Sequence, residues 1–130
     1  MANLVAKFNK ILLVEDDEDQ QRIISMFLRK NNYEVFLCCD GQEALDNVQK
    51  INPQLIIMDC FMPRMNGPIA LQHLKRNPNT RNIPVLLISV DKVDTLGCGF
   101  LQKPFNTNQL ITLIRNYEEM SILHNNIYYN

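Results

Sequence analysis

In Leu55-Ile56-Ile57-Met58-Asp59-Cys60-Phe61-Met62-Pro63, four apolar residues lead into a single carboxylate, with a proline just beyond it. Three other segments run from apolar into polar residues in a comparable way. Ile11-Leu12-Leu13-Val14 runs into Glu15-Asp16-Asp17, Pro84-Val85-Leu86-Leu87-Ile88 into Ser89, and the short Phe100-Leu101-Gln102 into Lys103-Pro104-Phe105. Carboxylates that converge from two segments repel one another, and a divalent cation between them relieves the repulsion. Oxygen donors in a small site suit magnesium, which takes few protein carboxylates and keeps several waters. A carboxylate is also a competent nucleophile and forms acyl phosphates. Phosphoryl transfer needs mainly positioning and charge neutralisation, which a lysine and a magnesium ion supply. The Ser89 hydroxyl suits donation to a phosphoryl oxygen. A lone Asp after a strand is ordinarily a cap or turn residue. The functional reading of Asp59 comes from the company of the other groups.

These groups meet only if the segments before them lie side by side. Apolar runs with paired Ile and Leu read as buried strands. The strands are expected at about Lys10–Val14, Tyr33–Cys38, Gln54–Met58, Val85–Ser89 and Phe100–Gln102. Helical spacing runs between them. Ile23, Ile24, Phe27 and Leu28 mark Glu18 to about Lys30, and Ala44, Leu45, Val48 and Ile51 mark a second helix. Asp40 with Glu43 forms a capping signal for that helix, and Pro53 stops it. Asn66-Gly67-Pro68 opens a third helix, which Asn77-Pro78 breaks. Asn106-Thr107-Asn108-Gln109 opens the last, with Leu110, Leu113, Ile114 and Tyr117 on one face. The tail from Ser121 to Asn130 is expected to fray or pack loosely. Alternating strands and helices imply a five-stranded parallel sheet covered on both faces, with ligands at the strands' carboxyl ends.

A chain of 130 residues with 46% hydrophobic content fits one domain, 1–130. Its core is expected over about 9–117, with 118–130 as the end of the last helix and a tail. A net charge of −1 argues against nucleic-acid binding by bulk electrostatics. No apolar run reaches membrane-spanning length, and the first residues lack a secretory signal's apolar stretch. The four cysteines, Cys38, Cys39, Cys60 and Cys98, show no zinc spacing and read as reduced thiols of a cytoplasmic protein. His73 is expected on an exposed helix face, and His124 in the tail carries no signal.

Taken in order, these motifs resemble a receiver domain of two-component response regulators, of the single-domain type. The resemblance covers about Asn9 to Tyr117 and implies a flavodoxin-like, doubly wound α/β fold. It implies that Asp59 accepts a phosphoryl group from a histidine kinase phosphohistidine, directly or through a phosphotransfer protein. Glu15 and Asp16 match the family's acidic pair, Asp16 touching Mg2+ directly and Glu15 through water. Asp17 is acidic too, but falls one step past the pair and is assigned to the loop or the first helix's start. The backbone carbonyl of Phe61 matches a further metal ligand. Ser89 matches the Ser/Thr switch position, Lys103 the phosphate-pairing lysine, and Phe100 the aromatic switch position without a tyrosine hydroxyl. Lys103-Pro104 is expected to be cis.

One departure stands out. Ser89 and Lys103 are 14 positions apart, whereas the family carries a full fourth helix between these sites. A parallel crossover normally takes about a dozen or more residues. The fourth helix is therefore expected to be absent or about one turn long. The family's usual relay surface is then incomplete, so output would run through an unnamed protein partner or onward phosphoryl transfer. No output domain, membrane contact or direct nucleic-acid contact is expected, and the chain is expected as a monomer or weak dimer. It is expected to be no enzyme beyond its own phosphorylation and dephosphorylation. An aspartyl-phosphate phosphatase would carry a second Asp two residues after the nucleophile, where Phe61 stands. A nucleotide binder would need a Ser-, Thr- or Gly-rich loop after the first strand, where Glu15-Asp16-Asp17 stands. The remaining alternative is a receiver-like interaction domain that acts without phosphorylation.

Overall fold

The computed structural model describes residues 8–129, and side chains through residue 121. The elements in chain order are β1 (Lys10–Val14), α1 (Glu18–Lys30), β2 (Glu34–Cys38), α2 (Gly41–Ile51) and β3 (Leu55–Asp59). They continue with α3 (Gly67–Arg76), β4 (Val85–Ser89), β5 (Gly99–Gln102) and α4 (Thr107–Tyr129). The five strands form one sheet in the order β2-β1-β3-β4-β5, every pairing parallel. This is the doubly wound parallel sheet expected from the residues, and strand bounds differ from the expected ones by a residue at most. The order reverses after β2, so a crevice opens at the carboxyl ends of β1 and β3.

The period of two along each strand builds two cores. Ile11, Leu13, Leu55, Ile57, Leu86 and Ile88 pack with Ile24 and Leu28 of α1 and Leu110 and Ile114 of α4. Their neighbours Leu12, Val14, Ile56, Met58, Val85 and Leu87 pack with Val48 of α2 and Leu71 and Leu74 of α3. All five residues of β3, and all five of β4, are buried. That explains why these strands read as continuous apolar runs rather than alternating ones.

Local chemistry sets the helix ends. Asp17 caps α1, its carboxylate accepting from the Asp19 and Gln20 N–H groups at 2.9 and 3.1 Å. At α2 Asp40 accepts from Glu43 N–H, and Glu43 reaches back past the cap to accept from Cys39 N–H, both at 2.9 Å. Asn106 and Gln109 exchange side-chain-to-backbone bonds of 2.8 Å at the start of α4.

Between β4 and β5 no helix forms. The crossover is irregular, with a single turn closed by Cys98 N–H on the Thr95 carbonyl at 2.9 Å. A right-handed crossover here would lie on the α2/α3 face. Val93, Cys98 and Phe100 are half-buried against that face's core. On the other face Tyr117 reaches the sheet edge, where its hydroxyl donates to the Val85 carbonyl at 3.3 Å.

Of the two expectations for the tail, fraying is not what is found, since α4 runs on to Tyr129, and the packing of the side chains after residue 121 lies outside the described residues. After Pro104 the chain holds neither glycine nor proline to stop a helix. Farther up, the buried Glu118 carboxylate accepts from Phe8 N–H at 2.7 Å and from the Tyr33 hydroxyl at 2.8 Å, which ties α4 to the start of the domain. The side chain of His124 lies outside the described residues.

Candidate functional site

Asp59 is the last residue of the central strand, and the chain turns immediately after it. The turn is tight because Gly67 N–H donates to the Cys60 carbonyl at 2.9 Å. A Cβ on Gly67 would stand 2.5 Å from the Asp59 carbonyl oxygen, so no other residue fits without movement. The Asp59 side chain is nearly buried. Its Oδ2 accepts from Lys103 Nζ at 3.3 Å, and its Oδ1 lies 3.4 Å from Phe61 N–H. Lys103 arrives from the end of β5, where its own N–H donates to the Ser89 carbonyl at 2.8 Å. The Lys103-Pro104 bond is cis.

β1 supplies the acids. Glu15 follows Val14 and is held by its N–H on the Cys38 carbonyl at 3.0 Å. Carboxylate oxygens of Glu15, Asp16 and Asp59 all lie within 4.8 Å of one another. Glu15 is buried and Asp16 exposed. Burial, then hydrogen bonding and charge from Asp59, push the Glu15 carboxyl up to about 8, with Lys103 opposing. Three converging carboxylates, one of them driven to keep its proton, form a donor set that suits a small, oxygen-seeking divalent cation. Asp17 turns to the helix cap and stands outside this cluster.

Ser89 is buried at the end of β4, its hydroxyl accepting from Asp91 N–H at 3.2 Å. It lies against Cys60, whose thiol is pushed up to about 11 by burial, with the Ser89 contact opposing. Phe100 is half-buried beside the irregular crossover. Phe61 and Val90 are exposed at the rim, at 58% and 60%. Next to the site a groove of about 600 Å³ runs between α1 and the loop from Lys103 to Thr107, lined by Ile23, Phe27, Val90 and Phe105 among others. Gln102 holds the rim by donating to the Val90 carbonyl at 2.9 Å.

The structure thus brings together Glu15, Asp16, Asp59 and Lys103, with Ser89 at the end of the neighbouring strand. Sequence reasoning passed over Arg64, in the loop after Asp59, which forms an ion pair with Asp40. It also passed over Gln102. Neither has a local sequence signal, because each partner is distant along the chain.

A family model described as the response regulator receiver domain matches residues 11–115. The hybrid signal transduction histidine kinase D of Dictyostelium discoideum is 33% identical over 118 residues, covering 85% of this chain and 8% of that protein. The receiver domain of a signal transduction histidine kinase from Syntrophus aciditrophicus superposes with a TM-score of 0.78 at 30% identity, over 84% of this chain and 89% of that one. The receiver domain of sensor histidine kinase PA1611 from Pseudomonas aeruginosa, solved with a magnesium ion in its active-site cleft, gives 0.77 at 28% identity, over 84% and 96%. The chain spans 8% of the length of the Dictyostelium histidine kinase and 27% of that of the response regulator PleD of Caulobacter vibrioides, which is 33% identical to it.

Proposed function

The chain belongs to the response regulator receiver domain family of two-component signalling, and from that premise we propose that Asp59 is its phosphoacceptor. The donor is the phosphohistidine of a histidine kinase or phosphotransfer protein. A carboxylate oxygen of Asp59 attacks phosphorus, the P–N bond breaks, and the imidazole leaves with the electron pair and is protonated. The observation that carries this reading is the Lys103 ammonium 3.3 Å from the Asp59 carboxylate, with the Glu15 and Asp16 oxygens close by. Lys103 offsets charge on the transferred group, and the Ser89 hydroxyl donates to one of its oxygens. Glu15, Asp16, Asp59 and the Phe61 carbonyl are the groups that would hold Mg2+, which when bound neutralises phosphoryl charge. With a small-molecule phosphodonor the domain catalyses its own phosphorylation, and water later cleaves the acyl phosphate.

We place the phosphodonor protein at the groove beside the site, along which Ile23 and Val90 are exposed. Output then passes to a protein partner or onward through a relay. Among the described residues no helix is long and apolar enough to cross a membrane. The four cysteines are unpaired, which supports a cytoplasmic setting.

Incubation with Mg2+ and acetyl phosphate, followed by intact-mass measurement, tests the proposal. The wild type gains one labile phosphoryl group, and Asp59→Asn gains none. Equal gain in both would refute the assignment. Failure of the wild type to gain mass would favour an interaction domain that works without phosphorylation, the reading that the lost helix between β4 and β5 keeps open.

A further inference from the structure

The loop from Cys60 to Asn66 carries Phe61 past the acid cluster and is anchored to α2 rather than to the sheet alone. Its anchor is Asp40, which is buried and divides its two oxygens between separate tasks. Oδ1 caps α2 by accepting from Glu43 N–H at 2.9 Å. Oδ2 receives the guanidinium of Arg64, 24 positions later. A parallel backbone contact joins the same two segments: Gly41 N–H donates to the Met65 carbonyl at 3.1 Å. Within the loop, Met65 N–H donates to the Pro63 carbonyl at 2.7 Å.

Arg64 makes this contact from a left-handed backbone conformation, with φ at +63°. Such a conformation disfavours a long side chain and persists where surrounding contacts over-determine it. Glycine would suit the backbone better. The guanidinium on Asp40 is the contact that glycine could not make.

We propose that Arg64 is a positioning residue for the metal site: its ion pair with Asp40 fixes the Cys60–Asn66 loop so that Phe61 meets the cation beside Asp59. The inference rests on the reading of Glu15, Asp16, Asp59 and the Phe61 carbonyl as the magnesium site. Groups that orient metal ligands from behind are worth about 10- to 100-fold in affinity. Because Arg64 is 65% exposed, its share falls at the low end, roughly tenfold.

Two variants remove the pair without removing what else the residues do. Arg64→Gly deletes the side chain and relaxes the backbone. Asp40→Asn keeps a good helix cap but puts an amide in front of the guanidinium. Mg2+ binding to the intact chain is measured by calorimetry, with hydrogen exchange across residues 60–66 and thermal midpoints alongside. Both variants should weaken Mg2+ binding by the stated factor and speed exchange in the loop, and the double variant should lose no more than either one. Arg64→Gly should hold its thermal midpoint within a few degrees, which separates positioning from general stability. Arg64→Lys, which keeps a cation within reach, should recover much of the loss. Wild-type affinity, within twofold, in both single variants would overturn the positioning role. A wild type that binds no Mg2+ would instead overturn the metal-site reading itself, and this inference with it.

Discussion

Adjacent acids in this chain do different work. Asp16 and Asp17 are consecutive, yet only Asp16 lies in the carboxylate cluster, while Asp17 bonds two N–H groups of the first turn of α1. The two substitutions should therefore separate cleanly. Asp16→Ala should lower Mg2+ affinity and phosphorylation together, with little change in stability. Asp17→Ala should cost about 1 kcal/mol of stability through the lost cap and leave Mg2+ affinity nearly unchanged. Urea denaturation and Mg2+ titration of both variants check this. Greater loss of Mg2+ affinity in Asp17→Ala would mean that the acidic pair has been read one residue out of step.

At the level of elements, the missing crossover helix is the main departure, and the sheet edge shows how the fold adapts. Gly99 opens β5 at the point where Tyr117 of α4 presses in. A Cβ on Gly99 would fall 1.7 Å from the Tyr117 hydroxyl oxygen and 3.3 Å from Leu86 Cδ1. Gly99→Ala should thus destabilise the domain by about 1–3 kcal/mol, as overpacking does. Combining it with Tyr117→Phe should recover part of that loss, because the nearest offending atom is gone. A denaturation midpoint for Gly99→Ala equal to wild type would contradict the close approach. The amides of the crossover make few hydrogen bonds, and two of these go to side chains: Asp91 N–H to Ser89 Oγ and Leu96 N–H to an Asp94 carboxylate oxygen. Its amides from Val90 to Gly97 should exchange quickly in the unmodified protein. Protection typical of a helix of several turns across these amides would refute the irregular crossover.

For the molecule as a whole, the acid cluster makes stability depend on pH and metal together. The Glu15 carboxyl is raised from 4.5 to about 8, chiefly by burial and then by Asp59. The folded state therefore holds a proton that the unfolded chain has already released. The stabilisation from this group is present in full below about 4.5, falls through the window between, and is gone above about 8. Metal-free protein should lose stability as pH rises across that window, and Mg2+, which competes with the proton, should restore it at the alkaline end. Glu15→Gln should flatten the metal-free profile. Urea denaturation at several pH values, with and without Mg2+, measures the effect, and identical slopes for wild type and Glu15→Gln would exclude Glu15 as its source. The family's relay surface is altered at the same scale. Its usual helix after β4 is absent here, so α1, α4 and the site loops are the intact surfaces beside the site.

Short-range rules account for everything that can be read from the residues alone. Strand burial and helix period are local, and in a parallel sheet every strand points the same way. A polar residue just after an apolar run must then reach the same edge, so the order of the residues alone groups Asp59, Glu15, Asp16, Ser89 and Lys103. The lost helix was equally legible, because too few residues separate Ser89 from Lys103 to build one. The caps at Asp40 and Asn106 follow from spacing over three residues. Contacts between groups remote in the chain arise only once the elements pack together. Arg64 finds Asp40, Tyr33 finds Glu118, and Tyr117 finds Gly99, each through packing that no local pattern encodes. The raised Glu15 carboxyl belongs to the same class, because burial and a neighbouring charge exist only once β1 and β3 lie side by side.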